Sequence, residues 1–158
     1  MRSLAPGQGS SGTDLYAIRT DGILYRYKLV TSKDPVTGAF SLSIQSAAVR
    51  GQGWGGMERI LRLDWDSDGD SDILAVDSSG LMRLYLVGAD GAVSFSREIG
   101  RGWSGMHAAN VGDVSGDGRD DVVGRRSDGT IWVYPVASGR FTTPRRIGAG
   151  FEAVLFIA

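Results

Sequence analysis

The sequence predicts an all-β chain, and three observations carry that prediction. Glycine supplies 24 of the 158 residues and is scattered between apolar runs rather than clustered. That is about twice its ordinary share and marks many turns between many short strands. Apolar and other residues alternate in short runs such as Leu84-Tyr85-Leu86 and Ile131-Trp132-Val133-Tyr134, and no capped helical pattern of ten residues or more occurs. The third observation is self-similarity. Asp64-Trp65-Asp66-Ser67-Asp68-Gly69-Asp70-Ser71-Asp72 returns as Asp113-Val114-Ser115-Gly116-Asp117-Gly118-Arg119-Asp120-Asp121, an offset of 49 positions (113 minus 64).

The same offset of 49 carries Gly53-Trp54 onto Gly102-Trp103, Asp72-Ile73-Leu74 onto Asp121-Val122-Val123, and Leu84-Tyr85 onto Val133-Tyr134. Gly150-Phe151 continues the series 48 positions after Gly102-Trp103. An upstream copy, Asp14-Leu15-Tyr16-Ala17 with Thr20-Asp21-Gly22 and Tyr25-Arg26-Tyr27, is spaced by 58 because the stretch from Thr31 to Phe40 is longer. In the second copy the strand-like runs are Arg59–Leu63, Asp72–Val76, Leu81–Val87 and Ala92–Ile99, with Asp-Gly or Ser-Gly pairs where tight hairpins need a positive φ. Four antiparallel strands per repeat of forty to fifty residues make a β-propeller blade.

One propeller or partial-propeller domain therefore spans residues 1–158, with repeats at about 4–54, 55–103 and 104–151. The stretch 4–13 stands where an acidic loop would be. The run Ala153-Val154-Leu155-Phe156-Ile157-Ala158 aligns with an innermost strand, so 152–158 is expected to complete a blade shared with the first repeat. Three blades fall short of the usual four to eight. The expectation is a homo-oligomer, with six blades from two chains preferred, or part of a longer chain.

A net charge of -1 and a pI near 5.8 argue against a general electrostatic grip on nucleic acid. Cysteine is absent, so no disulfide framework or cysteine zinc site arises. No apolar stretch reaches the length of a membrane-spanning helix, and no apolar segment of the signal-peptide kind follows Met1-Arg2-Ser3-Leu4.

The acidic loops offer oxygen ligands at alternate positions around a glycine turn, the pattern a hard cation such as Ca²⁺ requires. In the first loop the expected ligands are Asp64, Asp66, Asp68, the carbonyl of Asp70, and Asp72; the Asp70 side chain is expected to face water. In the second they are Asp113, Ser115, Asp117, the carbonyl of Arg119, and Asp121. Ala75 and Gly124 stand where an EF-hand has its last acidic ligand, and the flanks are strands. A solvated turn whose Asp and Gly residues merely favour turn geometry is the alternative. Its recurrence in register, and the repulsion among four carboxylates in nine residues, favour a structural cation at two sites per chain.

Trp54, Trp103 and Phe151 hold equivalent positions, each after a glycine. They serve either as platforms for a sugar ring or as packing between blades. Gln52 and Arg101, at equivalent positions before Trp54 and Trp103, are candidate ligand-facing groups. Arg19, Arg26, Arg59, Arg62, Arg125 and Arg126 also have donors for sugar hydroxyls or anions. His107 is the sole histidine, and its counterpart in the preceding repeat is Glu58, so nothing ties it to catalysis.

On these residues the second and third repeats resemble the FG-GAP/VCBS repeats of secreted and integrin-type propellers. The two acidic loops, the strands Asp72-Ile73-Leu74-Ala75 and Asp121-Val122-Val123-Gly124, and the closing Ile99-Gly100-x-Gly102-Trp103 and Ile147-Gly148-x-Gly150-Phe151 carry the likeness. The first repeat, Asp14 to Tyr27, is similar to tachylectin-type blades. The resemblance implies an extracellular, non-catalytic, lectin-like or adhesive module whose partners are glycans or a cell-surface or extracellular protein. The alternative is a structural or protein-interaction scaffold. Neither involves nucleic acid or membrane insertion.

Overall fold

The computed structural model describes residues 3–9 and 12–152. Among the described residues, twelve strands form three four-stranded antiparallel sheets. The first holds β1 (Ser3–Gly9), β2 (Gly12–Ile18), β3 (Leu24–Lys33) and β4 (Phe40–Gly51) in that order. The second holds β5 (Met57–Leu63), β6 (Asp72–Asp77), β7 (Met82–Val87) and β8 (Val93–Gly100). The third holds β9 (Met106–Gly112), β10 (Asp121–Arg126), β11 (Ile131–Tyr134) and β12 (Arg145–Gly148). β1 lies along β5 and β5 along β9, so the first strand of each sheet is innermost. This is three blades of a propeller.

The sequence explains why each blade is sandwiched. In β6, Ile73 and Ala75 enter a core shared with Tyr16, Ile18 and Leu24 of the first blade. Leu74 and Val76 enter a core shared with Met106, Val122 and Tyr134 of the third. Successive strand residues point to opposite faces, so a strand buried on both reads as a continuous apolar run. The turns between the second and third strands place Gly22, Gly80 and Gly129 at φ of 77°, 78° and 72°, a region open to glycine at little cost.

One expectation is corrected. The stretch 4–13 is not a loop replacing an acidic turn. Ser3–Gly9 pairs with Gly12–Ile18 in unbroken antiparallel register, from Ser3 opposite Ile18 to Gly9 opposite Gly12. The first blade thus has its own inner strand. Its residues are mostly small; Ala5 fits into the core against the second blade, and the Ser3 hydroxyl accepts the Ile60 N–H at 3.0 Å. The backbone edge of β2 needs a partner more than an alternating side-chain pattern. The shared strand expected at 152–158 lies, beyond Glu152, outside the described residues.

The longer spacing in the first repeat becomes a longer β3–β4 hairpin. Its tip, between Asp34 and Ala39, closes with the Asp34 N–H on the Ala39 carbonyl at 2.8 Å.

Candidate functional site

Each acidic loop joins the inner strand of its blade to the second strand, and its first aspartate organises it. In the first loop Asp64 accepts the N–H groups of Asp68 at 3.1 Å and Gly69 at 3.0 Å. In the second, Asp113 accepts those of Gly116, Asp117 and Gly118 at 2.7–3.1 Å. Such side-chain turns shape the loop without a metal.

The last aspartate latches the loop to the blade. Asp72 is fully buried; it accepts the Trp65 N–H at 3.1 Å and reaches across to the Val87 N–H of β7 at 2.9 Å. Asp121, also fully buried, accepts Val114 and Ser115 N–H at 3.2 and 2.8 Å. Its Oδ1 has no partner. By the offset of 49 the counterpart of Val87 is Val136, which lies beyond the end of β11. In the second blade β7 runs on to Val87, whereas β11 stops at Tyr134 because proline follows.

Oxygen atoms of Asp64, Asp66 and Asp72 lie within 4.8 Å of one another, a hard donor set able to hold a divalent cation. The charges strain one another. Burial pushes the Asp72 carboxyl up to about 6; the two N–H bonds pull it back, and Asp66 and Asp68 add repulsion. Burial, then Asp68, raises Asp66 as well. Asp68 is outside this trio and spends Oδ1 on the Asp70 N–H at 2.8 Å. The Asp70 side chain is buried, not turned to water as expected. It lies toward the first blade, where its charge acts on Arg26.

In the second loop, among the described residues, no three carboxylates converge. Ser115 Oγ and Asp121 Oδ1 are both buried without a hydrogen-bond partner. Burial raises Asp120, followed by repulsion from Asp113, Asp121 and Asp64.

The two loops and the strands beside them carry a likeness to a known family. Residues 64–124 match the FG-GAP-like repeat. The matched FG-GAP-like stretch starts at the first aspartate of the first loop and ends in β10, so it contains both loops and the strands β6 to β9. This repeat is a unit of propeller-type interaction and adhesion modules. No curated protein matches the chain.

The junctions between blades bear on the two readings of the aromatic residues. Trp54 and Trp103 are 5 % and 6 % exposed, the burial expected of packing between blades. Trp54 lies against Tyr85 of the second blade, centroids 4.5 Å apart, and Trp103 lies against Tyr134 of the third at 4.8 Å. They are wedges in the inter-blade cores. Trp65, from the first acidic loop, joins the second core and meets Phe141 edge-on at 5.0 Å. Phe151 is 37 % exposed, and Gln52 and Arg101 are exposed.

Beside Trp103 a pocket of about 340 Å³ opens between the second and third blades. Arg101, Trp103, Met106, Arg126, Asp128 and Tyr134 line it. Arg126 stacks on the Trp132 ring at 4.2 Å and donates to the Tyr134 hydroxyl from Nη2 at 2.8 Å. Arg101 pairs with Glu98 at 3.0 Å on the surface. At the corresponding place in the second blade Asp77 stands for Arg126 and Arg83 for Trp132, and the two close on each other at 2.7 Å. The Ser79 hydroxyl and then the Arg83 guanidinium hold the Asp77 carboxyl down to about 2.

Several arginines considered for ligand contact serve the fold instead. Arg59 donates to the Met106 carbonyl at 2.8 Å, bridging two blades. Arg62 lies over the Tyr16 ring at 4.4 Å and donates to the Ser71 carbonyl. Arg26 pairs with Asp14. The sequence contained Arg126 as a candidate, but not its seat on Trp132. The signal was the exchange of Asp77 and Arg83 for Arg126 and Trp132 at the repeat offset.

Proposed function

We propose that the chain is a non-catalytic, lectin-like binding or adhesion module, extracellular and stabilised by calcium. The observation that carries the ligand site is the pocket beside Trp103, which offers the Arg101 and Arg126 guanidiniums and the Asp128 carboxylate over an aromatic and thioether floor. Sugars are recognised by such a mixture of polar forks and apolar faces. The first acidic loop is the better calcium site, with three convergent carboxylates. Asp64, Asp66 and Asp72 would hold the ion, and the ion would pin the loop and neutralise their repulsion. In the second loop the unpartnered Ser115 Oγ and Asp121 Oδ1 support a weaker site with Asp113, Asp117 and the Arg119 carbonyl.

A glycan panel, probed in calcium and again in chelator, tests the reading. Binding to a glycan that Arg126→Ala abolishes supports it; silence at high loading in both conditions overturns it. The burial of Trp54 and Trp103 favours a second reading, a scaffold whose repeats only build the propeller and engage another protein. That reading predicts silence on the panel with unchanged folding.

A further inference from the structure

Every junction inside the chain is made by one device. A glycine at positive φ, Gly53 at 77° or Gly102 at 82°, delivers a tryptophan. The tryptophan N–H returns to the hairpin turn of its own blade: Trp54 to the Gly22 carbonyl at 2.8 Å, Trp103 to the Gly80 carbonyl at 3.0 Å. The ring seats over a glycine at the end of the outer strand, Gly51 or Gly100, where a Cβ would strike the indole. It then meets a tyrosine on the third strand of the following blade, Tyr85 or Tyr134.

Phe151 repeats all but the last part. Gly150 stands at φ 86°, the Phe151 N–H donates to the Gly129 carbonyl at 3.1 Å, and a Cβ at Gly148 would lie 2.9 Å from the Phe151 ring. The ring is 37 % exposed, whereas the two tryptophans are at most 6 % exposed. Ile147 is 55 % exposed, while its repeat counterpart Ile99 packs against a core. Among the described residues, the third blade therefore presents a complete wedge without its tyrosine.

The matching tyrosine belongs to the first blade. By the offset of 58, Tyr27 corresponds to Tyr85 and, through it, to Tyr134. Strand alternation fixes its face. Leu24 enters the core shared with the second blade, and Arg26 donates to the Asp90 carbonyl of that blade at 2.8 Å. Tyr25 and Tyr27, at the intervening positions, belong to the opposite face, and their rings stack at 6.0 Å.

We infer that the third blade of one copy docks on the first blade of a second copy, with Phe151 against Tyr27 making the junction that Trp54–Tyr85 and Trp103–Tyr134 make within the chain. The partner is a second copy because this chain carries both halves of the junction. The contact is heterologous, head to tail, and two such contacts related by a two-fold axis close a ring. Two copies supply six blades, within the usual range.

Light scattering after size exclusion should give twice the 16.8 kDa of one chain. Phe151→Asp and Tyr27→Asp should each raise the dissociation constant by at least about tenfold, as loss of a central aromatic anchor does. Far-UV circular dichroism of both variants should match the parent. Because the chain has no cysteine, Phe151→Cys and Tyr27→Cys chains can be mixed and treated with a short bismaleimide. The mixture should cross-link, and neither variant alone should. A monomer at every concentration, or cross-linking of the Phe151→Cys chain to itself, overturns the inference. The result is independent of whether any glycan binds, so it stands or falls apart from the lectin reading.

Discussion

The Trp103 ring lies across that of Tyr134, centroids 4.8 Å apart and planes inclined by 46°. The same relation holds for Trp54 and Tyr85, at 4.5 Å and 41°. A wedge from one blade thus meets a tyrosine of the next at both junctions. Trp103→Ala should cost about 3–5 kcal/mol, the usual range for truncating a buried tryptophan. Urea unfolding measures it. Unchanged stability with lost glycan binding would instead restore the stacking platform that its burial argues against.

The calcium sites should differ in strength. The first loop converges three carboxylates, whereas the second substitutes Ser115 for Asp66 and shows no such convergence among its described residues. Isothermal titration should show one tighter and one weaker site. Asp64→Ala should remove the tighter and Asp113→Ala the weaker. Identical heats in both variants and the parent would show that the aspartates only shape turns.

Much of the fold was legible because the blades are buried on both faces and punctuated by glycine. The runs Asp72–Val76 and Leu81–Val87 foresaw β6 and β7 to within a residue. Ser3–Gly9 was illegible as a strand, since its Leu-Ala-Pro-Gly-Gln core lacks alternation and its pairing depends on the edge of β2. The acidic loops were legible in spacing but not in detail. Whether Asp68 or Asp70 faces a cation depends on the turn path and on the neighbouring blade, and neither is local. The role of Trp54 and Trp103 stayed open in the sequence because a platform and a wedge need the same residue; only burial separates them.

Stability should depend on pH through Asp72. Its folded pKa of about 6 lies above the ordinary 3.8, so between these values the folded chain holds a proton that the unfolded chain has lost. In chelator, stability should therefore fall as pH rises from about 4 to about 6, then level off. Calcium favours the ionised carboxylate, so its stabilising effect should grow over the same window. Thermal melts of the parent and of Asp72→Asn, each with calcium and with chelator, check this. A dependence that persists in Asp72→Asn would assign it to another group.

The grip of the first blade on the second should rest on Arg26. Its Nε and Nη2 reach Asp14 Oδ2 at 2.8 and 2.6 Å, and its Nη1 donates to the Asp90 carbonyl at the tip of the β7–β8 hairpin. Arg50 donates to the same carbonyl at 3.1 Å, and the Tyr16 hydroxyl to that of Gly91 at 3.2 Å. Asp14 is 3 % exposed, so removing its partner strands a buried charge. Arg26→Met should cost about 3–5 kcal/mol, while the Asp14→Asn, Arg26→Met double variant should recover part of that loss. Asp14 and Arg26 lie on adjacent strands of the first blade, and the Asp90 carbonyl that Arg26 also reaches belongs to the second. A double-mutant cycle in urea reads the coupling directly. Additive losses would mean that the pair acts through packing of the two side chains and not through their charges.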